Sequence, residues 1–223
     1  MKNKVYIIIN PDYYVSQWQY KCINKLKNYD LVFLLAKEIK SKKYKPNKRK
    51  YIKHLFYYLI NLISIKQKKI KIDPFRFEKA SIKEINFIRK NNSWEELTVK
   101  SIDQIINGSP LFIYKCGMGL LYINNKLKNI PIISHHHGDP NKFRGRPAGF
   151  YEMLKGEKKM GQIVQLLTND LDAGKILFFA ETKIYPWSYK KTLRECFYIS
   201  PIIFEKALIN LEKGIFIDKE CDG

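Results

Sequence analysis

Residues 130–140 read Ile-Pro-Ile-Ile-Ser-His-His-His-Gly-Asp-Pro. The β-branched run at 130–134 predicts a strand, and the polar cluster begins where that strand ends. Working outward, similar runs predict strands at 5–10, where the run closes on Asn-Pro, and at 31–35, 111–115, 162–167 and 176–183. Helical spacing appears between them. Val15, Trp18, Cys22, Ile23 and Leu26 line one side of 15–27, and apolar residues recur at threes and fours over 193–213 until Gly214 stops them. Helices are also expected at 81–90, at 94–107 (through Trp94, Leu97, Val99, Ile102, Ile105 and Ile106), and at 147–154. A glycine-containing turn and a short helix are expected between 111–115 and 130–134. Strands alternating with helices predict an α/β, Rossmann-like domain, its mostly parallel sheet covered by helices on both faces. Ligands in such sheets bind beyond the carboxyl ends of the strands, which points to the loop after Ser134.

The 223 residues suit one domain, read as 1–214 with a basic insertion at about 37–71 and a short tail at 215–223. An apolar share of 45% excludes a disordered chain. Cys22, Cys116, Cys196 and Cys221 are scattered without a Cys-x-x-Cys pair, the pattern of free thiols in a reducing cytoplasm. The apolar run Val5 to Ile9 is too short for a secretory leader, and residues 55–65 fall well short of the roughly 20 that span a bilayer. No Gly-x-Gly-x-x-Gly follows the first strand and no phosphate-binding Gly-x-x-x-x-Gly-Lys-Ser/Thr occurs, which argues against nicotinamide and nucleoside-triphosphate enzymes of the usual kinds. The formal charge of +20 favours polyanionic partners, although lysine is spread along the whole chain and part of the excess is passive surface. Its densest run, residues 37–50, reads either as an arm laid against phosphate or a membrane surface, or as a solvated loop leading into a core-packing helix.

Three of the four histidines lie at 135–137. His135 and His137 share a side of an extended segment and could bind a metal with Asp139 as third ligand. One imidazole could instead act as a general base oriented by a distant carboxylate. Three packed or solvated loop histidines are the reading without chemistry. Spacing alone does not choose among these.

The residues that follow form an ordered set: Lys142-Phe143-Arg144-Gly145-Arg146-Pro147, then Gly161-Gln162-Ile163, then Leu171-Asp172-Ala173-Gly174-Lys175. This set resembles the catalytic domain of the folate-dependent formyltransferases, the group acting on methionyl-tRNA, glycinamide ribonucleotide and amino sugars. That family carries an Asn-x-His-Pro strand end, a Lys/Arg-Tyr/Phe-Arg-Gly turn and a later Leu-Asp-x-Gly loop. Aligning the turn without gaps puts His136 on the catalytic histidine, and the later loop then puts Asp172 on the catalytic aspartate with no insertion between them. The family asparagine falls on Ser134 and the family proline on His137, a departure that resembles a branch with a Ser-x-His-His-Gly-Asp segment. Residues 116–121 look like the strand end lining the family's folate pocket, and residues 188–214 resemble its closing helix. Coverage is good from about 111 to 214; before that only the first strand fits.

The resemblance implies formyl transfer from 10-formyltetrahydrofolate to a primary amine. His136 would be the general base, Asp172 would orient it, and Ser134 would stand where the family has its oxyanion donor. Folate would lie against Cys116, Gly117, Met118, Leu120, Leu167 and Asp170, while Arg144, Arg146 and His137 would face the acceptor. No metal is implied. The expected acceptor is a small amine, an amino sugar on a nucleotide or lipid phosphate, because the chain lacks the further domain with which the tRNA-directed members grip their substrate. Three alternatives stay open: a methionyl-tRNA formyltransferase-like enzyme, a folate- or nucleic-acid-binding homologue without turnover, and a metal hydrolase on His135, His137 and Asp139. A cytoplasmic location and a homodimer are further expectations.

Overall fold

The computed structural model describes residues 3–39, 68–90, 94–142, 147–169 and 174–217. These fall into two compact units: residues 3–39, 69–134 and 165–175 in the first, and residues 68, 135–164 and those from 176 onward in the second.

The first unit is built on β1 (Lys4–Ile9) and β3 (Asp30–Glu38), whose residues Val5–Ile9 and Leu31–Ala36 are buried almost without interruption. A strand covered on both faces needs that continuous apolar run rather than alternation. The remaining strands are β5 (Ala80–Arg89), β6 (Trp94–Leu97), β7 (Phe112–Lys115), β8 (Leu120–Tyr122) and β9 (Ile132–His136). Their order is β9-β7-β1-β3-β5-β6-β8, and every neighbouring pair is parallel except β5 with β6. A small hairpin-like pair joins β2 (Tyr14–Ser16) to β4 (Lys69–Lys71).

Helices cover both faces of this sheet. On one, Ile102 and Ile105 of α2 (Val99–Asn107) join a core with Tyr6, Ile8, Leu34 and Ile113. On the other, Cys22 of α1 (Gln17–Asn24) reaches the hydroxyl of Tyr114, the strand neighbour of Ile113 and therefore opposite to it. The expected α/β, mostly parallel architecture is what the chain adopts.

Three local expectations are corrected. Residues 81–90 form strand β5 rather than a helix. Ile82, Ile85 and Ile88 satisfy a three-residue spacing, but Ile85 and Phe87 are the buried pair, and pairing with β3 over eight positions decides the outcome. The helix expected over 94–107 is two elements: β6 runs antiparallel to β5, and Thr98 then caps α2 by accepting from the Ser101 N–H at 3.4 Å. Between β7 and β9 the chain inserts the unforeseen strand β8 before a 3-10 turn at Asn125–Leu127.

In the second unit β10 (Lys159–Leu166) lies between β11 (Ile176–Lys183) and the end of β9. The short helix α3 (Phe150–Leu154) and the long helix α4 (Tyr189–Lys213) accompany them. Met160, Ile184 and Cys196 pack together with Ala148 and Met153. Helix α4 is capped at its start by Ser188 and at its end by Gly214, whose φ of 65° is the left-handed turn a glycine takes without strain. Among the described residues no helix is long and apolar enough to cross a membrane. The central part of the basic insertion, residues 40–67, lies outside the described residues.

Candidate functional site

In the first unit, the turn after β7 is set by close backbone approach. Cys116 and Gly117 both donate their N–H to the Ile8 carbonyl, at 2.9 and 2.7 Å. A Cβ on Gly117 would stand 2.7 Å from the Ile9 carbonyl carbon and 2.8 Å from the Asn10 nitrogen, so only glycine lets this turn sit on the end of β1. Met118 follows at φ 66°, its carbonyl accepting from Lys115 Nζ at 3.4 Å. Gly119 donates its N–H to the buried carboxylate of Glu95, which Arg89 holds at 2.8 Å. Gln19 donates to the Cys116 carbonyl at 3.0 Å. Burial, with Cys22 close by, pushes the Cys116 thiol well above its ordinary range, so it stays protonated and is no nucleophile. Leu120 opens β8 half-exposed.

The same unit holds both ends of the later loop. Leu167 donates to the Ile132 carbonyl at 2.7 Å, and Asn169 brackets Ile123, accepting from its N–H at 2.7 Å and donating to its carbonyl at 3.0 Å. Across the stem, Leu166 donates to the Lys175 carbonyl at 2.9 Å. A Cβ on Gly174 would lie 1.9 Å from the Leu166 carbonyl oxygen, which explains the glycine in Leu-Asp-x-Gly. Asp170 and Asp172, within this loop, lie outside the described residues, as do Arg144 and Arg146.

Strand β9 carries Ser134 in the first unit and His135 and His136 in the second. His135 and His137 turn to helix α4. His135 Nε2 bonds the Ser200 carbonyl at 3.2 Å, His137 Nε2 bonds the Ser200 hydroxyl at 3.1 Å, and the two rings stack at 5.9 Å. Phe204 stacks on His135 and the edge of Phe197 meets His137. The Ser200 hydroxyl is also within reach of Gln162 Oε1 and the Cys196 carbonyl, both at hydrogen-bond distance. Burial lowers the His135 pKa to about 4, partly opposed by the Ser200 carbonyl, so the ring is neutral at physiological pH.

The geometry therefore separates the three imidazoles. Two brace the strand end against α4, and His136 faces the other way by the alternation of an extended strand, its Nε2 closed off from solvent. The proposed metal trio is not assembled: His135 and His137 have committed their Nε2 atoms to Ser200, and Asp139 accepts from the Asn141 N–H at 3.1 Å. Among the described residues no three His, Cys, Asp or Glu side chains stand together as metal ligands. The sequence reading missed Ser200, Glu95 and Asn169, and it quoted Gln162 without giving it a role. Each is a polar residue whose partner is remote in the chain, and no local pattern announces it.

A scan against models of protein families gives no match, and neither does a search of curated proteins. Solved structures do match. Glycinamide ribonucleotide transformylase 1 from Symbiobacterium toebii is 12% identical, with 98% of this chain covering 92% of that one at a TM-score of 0.59. Phosphoribosylglycinamide formyltransferase from Anaplasma phagocytophilum is 13% identical, with 100% covering 96% at 0.59. A formyltetrahydrofolate deformylase from Pseudomonas syringae is 10% identical, with 93% covering 60% at 0.55. Along nearly its whole length, then, the chain has the fold in which glycinamide ribonucleotide formyltransferases are built.

Proposed function

We propose that this protein is a formyltransferase, moving a formyl group from 10-formyltetrahydrofolate to a primary amine, with an amino sugar on a nucleotide or lipid phosphate as the acceptor. The observation that carries the reading is His136, at the end of a sheet strand and turned away from the Ser200 brace, in a chain with the fold of named formyltransferases. The aligned turn at 143–145 and loop at 171–174 support it. The donor supplies an activated formyl carbon. His136 takes the proton that the attacking amine releases and passes it to the folate nitrogen as that bond breaks. Asp172 orients the imidazole and favours its charged form. Ser134 gives one hydroxyl donor to the developing oxyanion. Cys116, Gly117, Met118, Leu120, Leu167 and Asp170 border the pterin, and Arg144 and Arg146 meet the acceptor's anionic end; His137, expected beside them, is instead taken up by Ser200 and Phe197 of α4. Neither step calls for a metal.

The test is release of tetrahydrofolate from 10-formyltetrahydrofolate against a panel of amino-sugar nucleotides and aminoacylated tRNA. We expect turnover with an amino sugar, and a loss of about a hundredfold or more in His136→Ala with the fold intact by circular dichroism. Full turnover in that variant would remove His136 from the reaction. A second reading, hydrolysis with water as acceptor, draws on the fold shared with the named deformylase; formate appearing without any amine would select it.

A further inference from the structure

In the second unit, the turn that joins β11 to α4 holds an indole out in water. Trp187 is 77% exposed, yet the backbone around it is fixed. Pro186 sets φ at the first corner of the turn, and the Ser188 N–H donates to the Tyr185 carbonyl at 2.9 Å. Tyr185 in turn donates its N–H to Oγ1 of the buried Thr192 at 2.9 Å. Ile184 and Leu193, on either side, are buried, so the turn is seated on the core and its tip projects. Turn tips favour small polar residues, and a large aromatic placed there forgoes the gain of burying it.

Cations gather around this tip. From Thr182 to Arg194 the chain carries Lys183, Lys190, Lys191 and Arg194 and no acidic residue. The Lys191 ammonium stands 4.0 Å from the centroid of the Tyr185 ring and that of Lys183 5.5 Å, and the indole meets the same ring edge-on, at 6.0 Å and 76°. Glu181, the acid that precedes the stretch, is taken up by Lys159 at 2.9 Å. Within the same unit Phe150 meets Tyr189 at 6.3 Å and Tyr151 at 5.3 Å, which links the start of α4 to the exposed Tyr151 and Leu154 of α3.

An anionic polymer and an anionic bilayer both answer such charge, and the rings decide between them. Single-stranded nucleic acid is held by successive open ring faces on which bases stack. Here Tyr185 has an ammonium over its ring face, which leaves Trp187 as the one open ring of the pair. A single indole with a tyrosine and lysines about it suits a membrane–water interface. The ring enters between headgroups with its N–H at their level, and the ammoniums reach lipid phosphates on their flexible stems.

We propose that this turn is a docking surface for an anionic phospholipid bilayer, Trp187 entering the interface while Lys183, Lys190, Lys191 and Arg194 pair with the headgroups. The inference does not rest on formyl transfer and is tested without folate or acceptor. The full chain is floated with vesicles of phosphatidylcholine alone and of phosphatidylcholine with about one-third phosphatidylglycerol. Binding to the anionic vesicles should be about tenfold stronger or more, and Trp187→Ala should weaken it about fivefold. The double change Lys183→Ser and Lys191→Ser should weaken it about tenfold, whereas Lys100→Ser with Lys128→Ser, which removes the same charge from the first unit, should cost no more than about twofold. Lipids brominated along the acyl chain should quench tryptophan fluorescence, and Trp187→Phe should remove that quenching. No preference for the anionic vesicles, an equal loss in the two double variants, or quenching that persists in Trp187→Phe would overturn the proposal. So would a single-stranded RNA that binds through Trp187 while the vesicles do not bind.

Discussion

Ser200 is a small residue with two commitments, its carbonyl to His135 and its hydroxyl to His137. For His135 burial makes charging costly, which is visible in a pKa lowered from 6.5 to about 4. The sign follows from linkage. Between these two values the unfolded chain binds a proton that the folded chain refuses, so stability falls as pH drops from about 6.5 toward 4. Thermal melts across that window should show the decline, and His135→Gln, which keeps a donor but does not titrate, should flatten it. An unaltered slope in the variant would mean that His135 does not govern acid sensitivity. At the same scale the cluster at 134–137 was legible as the place of chemistry, because a run of polar residues at a strand end is a local pattern. Which of the three imidazoles is turned away from α4 was not legible, since that depends on Ser200, more than sixty residues further along the chain.

At the level of elements, two turns depend on the absence of a side chain. Gly117 lies against the backbone of Ile9 and Asn10, and Gly174 against the carbonyl of Leu166. We expect Gly174→Ala to destabilise the protein by about 1–3 kcal/mol, the usual cost of overpacking where the neighbour is backbone and cannot swing aside. Under the proposed function, the same change should also lower the formyl-transfer rate. Denaturant melts and the transfer assay measure the two effects, and a variant with wild-type stability and rate would show the stem to be slack. Strands β1, β3, β7, β9 and β11 and helices α1 and α4 could be read from apolar pattern because each is buried continuously or periodically. Strand β5 could not. Its isoleucine spacing fits a helix equally well, and only the eight-position pairing with β3 settles it. Strand β8 escaped notice because three residues are too few to carry a period.

For the whole molecule the dominant quantity is the charge of +20. Excess charge of one sign repels itself in the compact state and is screened over a Debye length of about 10 Å at 0.1 M salt. Raising salt from about 50 to about 200 mM should therefore raise the melting midpoint, whereas a tRNA acceptor, held through many phosphates, should lose affinity steeply over the same range. A midpoint indifferent to salt would show that the lysines are already neutralised by internal pairs. The described ion pairs, such as Lys37 with Glu84 and Lys126 with Asp103, are mostly exposed and individually weak, so the self-repulsion is expected to prevail.

Helix α4 also carries Pro201 in its interior, directly after Ser200. A proline there has no amide hydrogen to give back to the preceding turn, so the helix ladder is interrupted at the level where His135 and His137 attach. The histidines of β9 attach one residue before that break, at the carbonyl and hydroxyl of Ser200, and so tie this level of the helix to the strand end. Neither the middle of the helix nor the tip of the strand can loosen alone, and the two must come apart, or form, as a single cooperative piece.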